Sequence, residues 1–158
     1  MNPTLFTLLV LFATFSTAQA EITAKYQNVD SFRDFSLSGN QSSAQSQFLR
    51  ELKRQSRLHS LVGDRKLELT FTDIDMAGDT KIPRARTGLD LRVVKGVFPP
   101  RLSFTYVLRD ARGKKIKSGS AKISDLAFDR GIRRGSGNRS FYYELALLEA
   151  WARETLPT

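Results

Sequence analysis

The longest alternation of apolar and polar residues in the chain is the feature that most limits its fold. Apolar side chains recur at every second position, at Leu102, Phe104, Tyr106 and Leu108. This is the period of a strand with one buried face. Asp110 and Gly113 then stand where a type I turn prefers Asp and Gly, and the polar segment 114–122 follows. The pattern predicts a β-hairpin whose lysine-rich second strand suits the exposed edge of a sheet.

Other segments have the same two-residue period. They are 21–26, 67–71 and 89–93. Pro99 and Pro100 cannot donate to a strand ladder, so a strand has to restart after them. Together with the hairpin, these segments predict a sheet of about five strands.

Two segments have helical spacing instead. From Ser43 to Val62 the apolar residues fall on one broad face, and a second helix is predicted from Ser140 to Leu156, with Ser140 as its cap. Because both apolar stripes need a surface to cover, we predict an α+β fold, with an antiparallel twisted sheet that carries both helices on one face. The lone histidine, His59, is expected to be a packed, hydrogen-bonded neutral imidazole, since no other His or Cys is present to complete a metal site.

The first 20 residues have the pattern of a secretory signal peptide. An apolar run from Leu5 to Phe15 precedes the small-residue site Ala18-Gln19-Ala20. This run is shorter than the roughly 20 residues that span a bilayer. We predict a cleaved signal peptide at 1–20, a single domain at 21–158 and no transmembrane segment in the mature chain. The predicted location is the periplasm, with secretion as the alternative, and without cysteine the exported chain has no disulfides.

The net charge of +9 is concentrated in the second half of the chain, where residues 81–139 hold 16 Lys and Arg against 4 Asp and Glu. The candidate anion-binding residues form three segments: Lys81, Arg84 and Arg86; Lys114, Lys115 and Lys117; and Arg130, Arg133, Arg134 and Arg139. A basic surface favours anionic partners. We predict a non-enzymatic protein that binds an anionic envelope component or a protein partner through these segments, while the simpler interpretation is a protein that is merely basic. Nucleic acid is disfavoured, because the aromatic residues fall at core-facing strand positions.

A cluster of carboxylates follows the strand at 67–71. The acidic residues are Asp73, Asp75 and Asp79. With Gly78 they resemble the first half of a calcium-binding loop, but Ala77 replaces the third oxygen ligand and Arg84 replaces the bidentate carboxylate. The alternative function is therefore a divalent-metal-binding protein or metal-dependent hydrolase centred on this turn, and no other cofactor is expected. The simpler interpretation is that these carboxylates fix a turn and pair with Arg84, Arg86 or the basic loop.

Other catalytic signatures are missing from the sequence. It contains no nucleophile elbow and no phosphate-binding glycine loop, and its single histidine serves a triad only if Asp and Ser happen to assemble around it. We therefore assign no catalytic residue.

An ordered set of short motifs resembles a known family. The motifs are Asp73-Ile74-Asp75-Met76-Ala77-Gly78, Pro99-Pro100-Arg101-Leu102, Tyr106-Val107-Leu108 with Asp110 and Gly113, Gly119 with Asp125, and Tyr143-Glu144-Leu145 with Trp151. They are similar to the bacterial exported family called domain of unknown function 3016, over roughly residues 32–151. That family usually shows Asp-Val-Asp-Leu-Ala-Gly, so Ile74 and Met76 are mild departures. The resemblance implies a Gram-negative, periplasmic origin and supplies no activity, ligand or catalytic residue.

Overall fold

The structure is a computed structural model that describes residues 20–37, 40–79, 92–130 and 140–157. Within these ranges the strands are β1 (Glu21–Tyr26), β2 (Lys66–Asp75), β3 (Arg101–Arg109) and β4 (Lys115–Ser124). The helices are α1 (Gln41–Lys53), α2 (Ser56–Val62) and α3 (Tyr142–Thr155), and a short 3-10 helix covers Val29–Ser31. The predicted α+β class is confirmed.

The four strands form one sheet in the order β1-β2-β3-β4. β1 runs parallel to β2, whereas β2, β3 and β4 are antiparallel neighbours. The prediction of a purely antiparallel sheet of about five strands is therefore wrong, because the sheet is mixed and has four strands within the described ranges. The chain crosses from β1 to β2 through α1 and α2, and a connection of that kind brings two strands together in the same direction. Of the predicted strand at 89–93, residues 89–91 lie outside the described residues, and Val93 forms an isolated bridge with Asp79.

The predicted hairpin is confirmed. Gly113 N–H donates to the Asp110 carbonyl oxygen, 2.9 Å away, and the Asp110 carboxylate accepts the N–H groups of Arg112 and Lys114. These bonds satisfy the turn with its own residues, so its conformation is set locally. β4 has a neighbour on one side only within the described part of the chain, which confirms that the lysine-rich strand is an edge strand.

The helix predicted from Ser43 to Val62 is two helices. α1 ends at Lys53, and α2 begins at Ser56 after a break at Arg54 and Gln55. The apolar face was predicted correctly, since it buries Ala44, Phe48, Leu52, Leu58 and Val62. His59 Nε2 lies 3.1 Å from the Lys53 carbonyl oxygen and so ties α2 to the end of α1, as expected for a hydrogen-bonded imidazole.

The last helix starts later than predicted. Phe141, in the left-handed conformation at φ 63°, precedes α3, so Ser140 is not its cap. The predicted apolar face is buried, at Phe141, Leu145, Leu148 and Ala152. The ring of Trp151 packs edge-on against Phe104 and Tyr106 of β3, with ring centroids 4.8 and 4.9 Å apart. α3 is therefore anchored on the middle of the sheet.

The core lies on one face of the sheet. Strand residues that are buried pair with each other across the ladder, as in Leu67 with Leu108 and Phe71 with Phe104. Because side chains alternate between faces, the residues between them point the other way. That second face is polar. It carries an ion pair between Arg109 and Glu68 with a nitrogen–oxygen distance of 2.8 Å.

Candidate functional site

The basic residues of the hairpin lie at one end of the sheet. Lys114 and Lys115 are exposed in the turn and at the start of β4. Lys117 differs from them, because its amine donates to the Thr155 carbonyl oxygen at 2.7 Å and so caps the end of α3. Two of the three predicted anion-binding lysines of this segment are thus presented to solvent, and the third holds a helix to the sheet.

The other two basic segments lie mostly outside the described residues. Six of the predicted residues lie outside the described residues: Lys81, Arg84, Arg86, Arg133, Arg134 and Arg139. Arg130 is described and exposed. The described residue Asp79, which precedes segment 80–91, lies just beyond the end of β2 where Asp75 pairs with Arg101. That end is separated from the hairpin turn by the nine residues of β3, about 27 Å at a strand's rise per residue.

A cleft of about 470 Å³ opens at this opposite end of the sheet. It is lined by three carboxylates, two arginines and the chain before β3: Asp34, Asp75 and Asp79, Arg33 and Arg101, and Gly78, Val97, Phe98 and Pro99. The sequence folds this way locally because the segment before α1 pairs with the end of β2, where Met76 N–H donates to the Asp34 carbonyl oxygen at 3.0 Å. Residues far apart in the chain thus meet around the predicted acidic turn.

Arginines pair with two of the carboxylates in and beside the cleft. Arg92 forms a bidentate pair with Asp34, with both nitrogen–oxygen distances at 2.8 Å. Asp73 accepts the Arg33 N–H at 3.1 Å and also faces the Arg33 guanidinium at 3.6 Å. Asp73 therefore pairs with Arg33, which is not one of the partners predicted for the turn's carboxylates. The proposed partners Arg84 and Arg86 lie outside the described residues.

Asp75 is the carboxyl of this group whose pKa departs clearly from its ordinary value. Burial raises the pKa of its carboxyl, and the negative charges of Asp34 and Asp73 raise that pKa further, while Arg101 opposes the shift. A cation or a hydrogen-bond donor from a ligand stabilises the charged form of a carboxyl most where the carboxyl is partly buried and has like charges beside it. Among the described residues no group of three or more acidic, His or Cys side chains is arranged to hold a metal ion.

A buried carboxyl from α3 accepts a backbone hydrogen bond from the turn after β2. Glu144 of α3 is 2% exposed, and its Oε1 accepts the Ala77 N–H at 2.7 Å. Burial raises the pKa of Glu144, while the bond from Ala77 and the charge of Arg92 act in the opposite direction. This contact connects the first turn of α3 directly to the acidic motif that follows β2.

The sequence predicted two of the cleft's carboxylates and missed the groups around them. Asp34 and Arg33 sit in an irregular segment, and Arg92 and Glu144 have no spacing that relates them to Asp75. Their contacts span 58 residues for Arg92 with Asp34 and 67 for Ala77 with Glu144. The available signal was the motif Tyr143-Glu144-Leu145, which places a carboxylate within an apolar helix face.

These features define a small α+β protein with a helix-covered sheet, a basic hairpin at one end and a mixed-charge cleft at the other. The chain belongs to the family described as Protein of unknown function (DUF3016), which matches residues 20–154. The resemblance drawn from the motifs is thereby confirmed. None of the helices in the described ranges has the length and hydropathy needed to cross a membrane.

Comparison with individual proteins adds little. No curated protein matches the sequence at a significant level. A solved structure described as a minor lipoprotein from Acinetobacter baumannii is similar over 87% of both chains, with 12% sequence identity and a TM-score of 0.27. A score of this size does not establish a shared fold.

Proposed function

We propose that this is an exported, periplasmic, non-enzymatic protein that binds an anionic component of the bacterial envelope through its basic segments. The observation that carries the proposal is the hairpin turn. Arg112, Lys114 and Lys115 are exposed there, and their side chains have no partner among the described residues. The carboxylate of the turn itself, Asp110, accepts backbone N–H groups of Arg112 and Lys114. Their charge is therefore available to a ligand.

The expected ligand chemistry is phosphate or carboxylate on a surface. Basic side chains beside an anionic membrane each contribute about 1 kcal/mol of binding free energy, and that contribution falls within a Debye length. The basic segments 81–86 and 130–139 remain predicted contributors to the same function. A protein partner with an acidic surface is the alternative form of this proposal, and secretion is the alternative location.

The test is cosedimentation of the purified protein with phosphatidylglycerol vesicles and with lipopolysaccharide, at low and high ionic strength. The variant Lys114→Gln/Lys115→Gln should weaken binding by about 2 kcal/mol, roughly thirtyfold in affinity. Arg50→Gln/Lys53→Gln removes the same charge from the exposed side of α1 and serves as the matched control. Equal loss in both variants would show that only net charge matters, and no binding at low salt would refute the envelope-ligand form of the proposal.

The cleft supports a second candidate, a divalent-cation site or metal-dependent hydrolase at the acidic turn. Asp34, Asp75 and Asp79 line the same cavity, and burial together with the like charges of Asp34 and Asp73 raises the pKa of Asp75. Asp73, the third predicted ligand, faces Arg33 instead. Millimolar Ca²⁺ or Mg²⁺ should raise the melting temperature of the protein, and Asp75→Asn should remove that rise. An unchanged melting temperature with either cation would count against a metal at this turn.

A further inference from the structure

The second half of β4 borders a groove that apolar and polar residues line together, and this region differs from both sites above. β4 pairs with β3 alone in the described part of the chain, so its outer edge presents unpaired backbone N–H and C=O groups. Its middle residues are small, at Ser118, Gly119, Ser120 and Ala121. Small side chains allow another backbone to approach the edge closely.

α3 carries a second apolar stripe beside the one that it buries in the core. Tyr143, Ala146, Leu147 and Ala150 recur at helical spacing along it. Ala146 and Ala150 are exposed, and Tyr143 and Leu147 are only half-buried. This stripe lies next to the open edge of β4, and no other part of the described chain covers it. Exposed apolar surface of this kind is typical of interaction sites.

Between these two features lies a groove of about 520 Å³. Ile123 of β4 and Leu147 and Trp151 of α3 are among its lining residues. Leu126 follows β4 between two groove residues, Asp125 and Phe128, and is 76% exposed. The groove therefore combines unpaired strand hydrogen-bonding groups with apolar surface along one side, which are the two features of sites that bind an added strand.

We propose that this groove binds an extended segment of a partner protein, which adds as a strand along the outer edge of β4 and alternates apolar with acidic side chains. The apolar side chains enter the groove toward α3. The acidic side chains point away from α3 toward Lys122, which also borders the groove and pairs with Ser103 between the buried residues of β3. Asp125 and Glu154 line the groove itself and disfavour acidic side chains inside it.

The charges on β4 also distinguish the partner from a second copy of this chain. Two β4 edges paired antiparallel would bring Lys115 and Lys122, which share the face of β4 away from the core, alongside the same lysines of the other copy. Like charges directly opposite each other across a strand pair are destabilising. An acidic partner strand reverses the sign of that contact. The inference does not rest on the proposed envelope ligand, because Lys114, Arg112 and Lys115 are not part of the groove.

The direct test is fluorescence anisotropy of the purified protein with a labelled peptide of about eight residues, a typical strand length, in which valine and glutamate alternate. Two N-methylated forms of the peptide are compared, one methylated at the valines and one at the glutamates. Only one set of N–H groups faces the edge of an added strand, so one form should lose binding at least about tenfold more than the other. Equal affinity of both forms, or no binding of the unmethylated peptide, would overturn the inference.

Variants of the groove test its charge and apolar surface. Ala150→Glu places a negative charge on the helix side of the groove and should lower the affinity for the peptide by about tenfold. Ser46→Glu adds the same charge on the exposed side of α1 and should leave that affinity unchanged. Lys122→Glu should lower the affinity for the valine–glutamate peptide and raise the affinity for a peptide in which valine and lysine alternate. If Lys122→Glu does not reverse the preference between the two peptides, the acidic-partner assignment is wrong. It is also wrong if the unmodified protein forms a dimer in sedimentation equilibrium and Ala150→Glu makes that dimer dissociate. Vesicle binding by the Ala150→Glu variant should be unchanged, which separates this groove from the hairpin turn.

Discussion

The titration of one buried side chain should be visible in the stability of the whole protein. Glu144 is the buried charged residue among the described core, and burial raises its pKa. The folded protein then binds a proton at Glu144 more tightly than the unfolded chain does. The contribution of this group to stability is therefore greatest below the ordinary glutamate pKa, and it is lost as the pH rises through the raised pKa of the folded state.

Glu144→Gln should consequently gain stability relative to the unmodified protein as the pH rises. Glutamine keeps an oxygen acceptor for the Ala77 N–H and does not titrate. Urea unfolding from about pH 4, near the ordinary glutamate pKa, to about pH 8 should show a difference that grows with pH in favour of glutamine. Glu144→Ala leaves the Ala77 N–H without its acceptor and should cost about 1–3 kcal/mol throughout. A difference that favours glutamate at high pH would contradict the raised pKa.

At the residue scale, sequence predicted the core better than the site. Alternation and helical spacing select the buried residues because burial follows local periodicity. The pair of Arg92 with Asp34 and the bond from Ala77 to Glu144 depend on tertiary contacts that no local pattern encodes. Charged residues in irregular segments also look the same whether they are solvated or paired. Asp75 was predicted as a site residue on spacing alone, and its neighbours in the cleft became visible only once β2 and the segment before α1 were joined.

At the scale of elements, the turn after β2 depends on its glycine. Gly78 has φ +88°, and a Cβ built there would lie 2.5 Å from the Val93 carbonyl oxygen. Gly113 in the hairpin has a similar φ of +84° with nothing within 4 Å of such a Cβ. Alanine at either position costs about 1–2 kcal/mol for the left-handed backbone. Only Gly78→Ala adds a steric clash with backbone, for about a further 1–3 kcal/mol.

Urea denaturation of Gly78→Ala and Gly113→Ala measures that difference. The backbone strain is matched, so the excess cost at Gly78 reports the contact between the acidic turn and the chain before β3. Equal midpoints for the two variants would mean that the turn can move away from Val93 at little cost. The glycine of the Asp-Ile-Asp-Met-Ala-Gly motif would then need another explanation.

The elements that were predicted best are the ones specified by neighbouring residues. The hairpin β3–β4 follows from alternation and a turn whose hydrogen bonds are made within the turn. The break between α1 and α2 escaped prediction because the apolar face continues across it, and the contact of His59 with the Lys53 carbonyl that bridges it has no local sequence pattern. The direction of β1 escaped for a related reason. Alternation states which face is buried, and it gives no information about which way a neighbouring strand runs.

At the scale of the whole molecule, the parallel strand β1 should be the element on which the crossover depends. Ile22 is 5% exposed and pairs in register with Leu67, while Thr23 points to the other face and is exposed. Without β1 the edge of β2 would be unpaired, and the chain that enters α1 would no longer be attached to the sheet. Ile22→Ala should therefore destabilise the protein by about 2–5 kcal/mol, a large share of the 5–15 kcal/mol typical of a domain.

Thr23→Ala provides the matched control, because it changes the same strand on its exposed face and should cost less than about 0.5 kcal/mol. Thermal and urea unfolding of the two variants distinguish a strand that completes the core from one that only borders it. Similar, small losses for both would mean that β2, β3, β4 and α3 hold the fold without β1. A large loss confined to Ile22→Ala, with helix and tertiary signals lost in one coincident transition, would instead show that the sheet, the crossover helices and the cleft at the end of β2 unfold together as one unit. The physical link is the segment that carries Asp34, which connects β1 to α1.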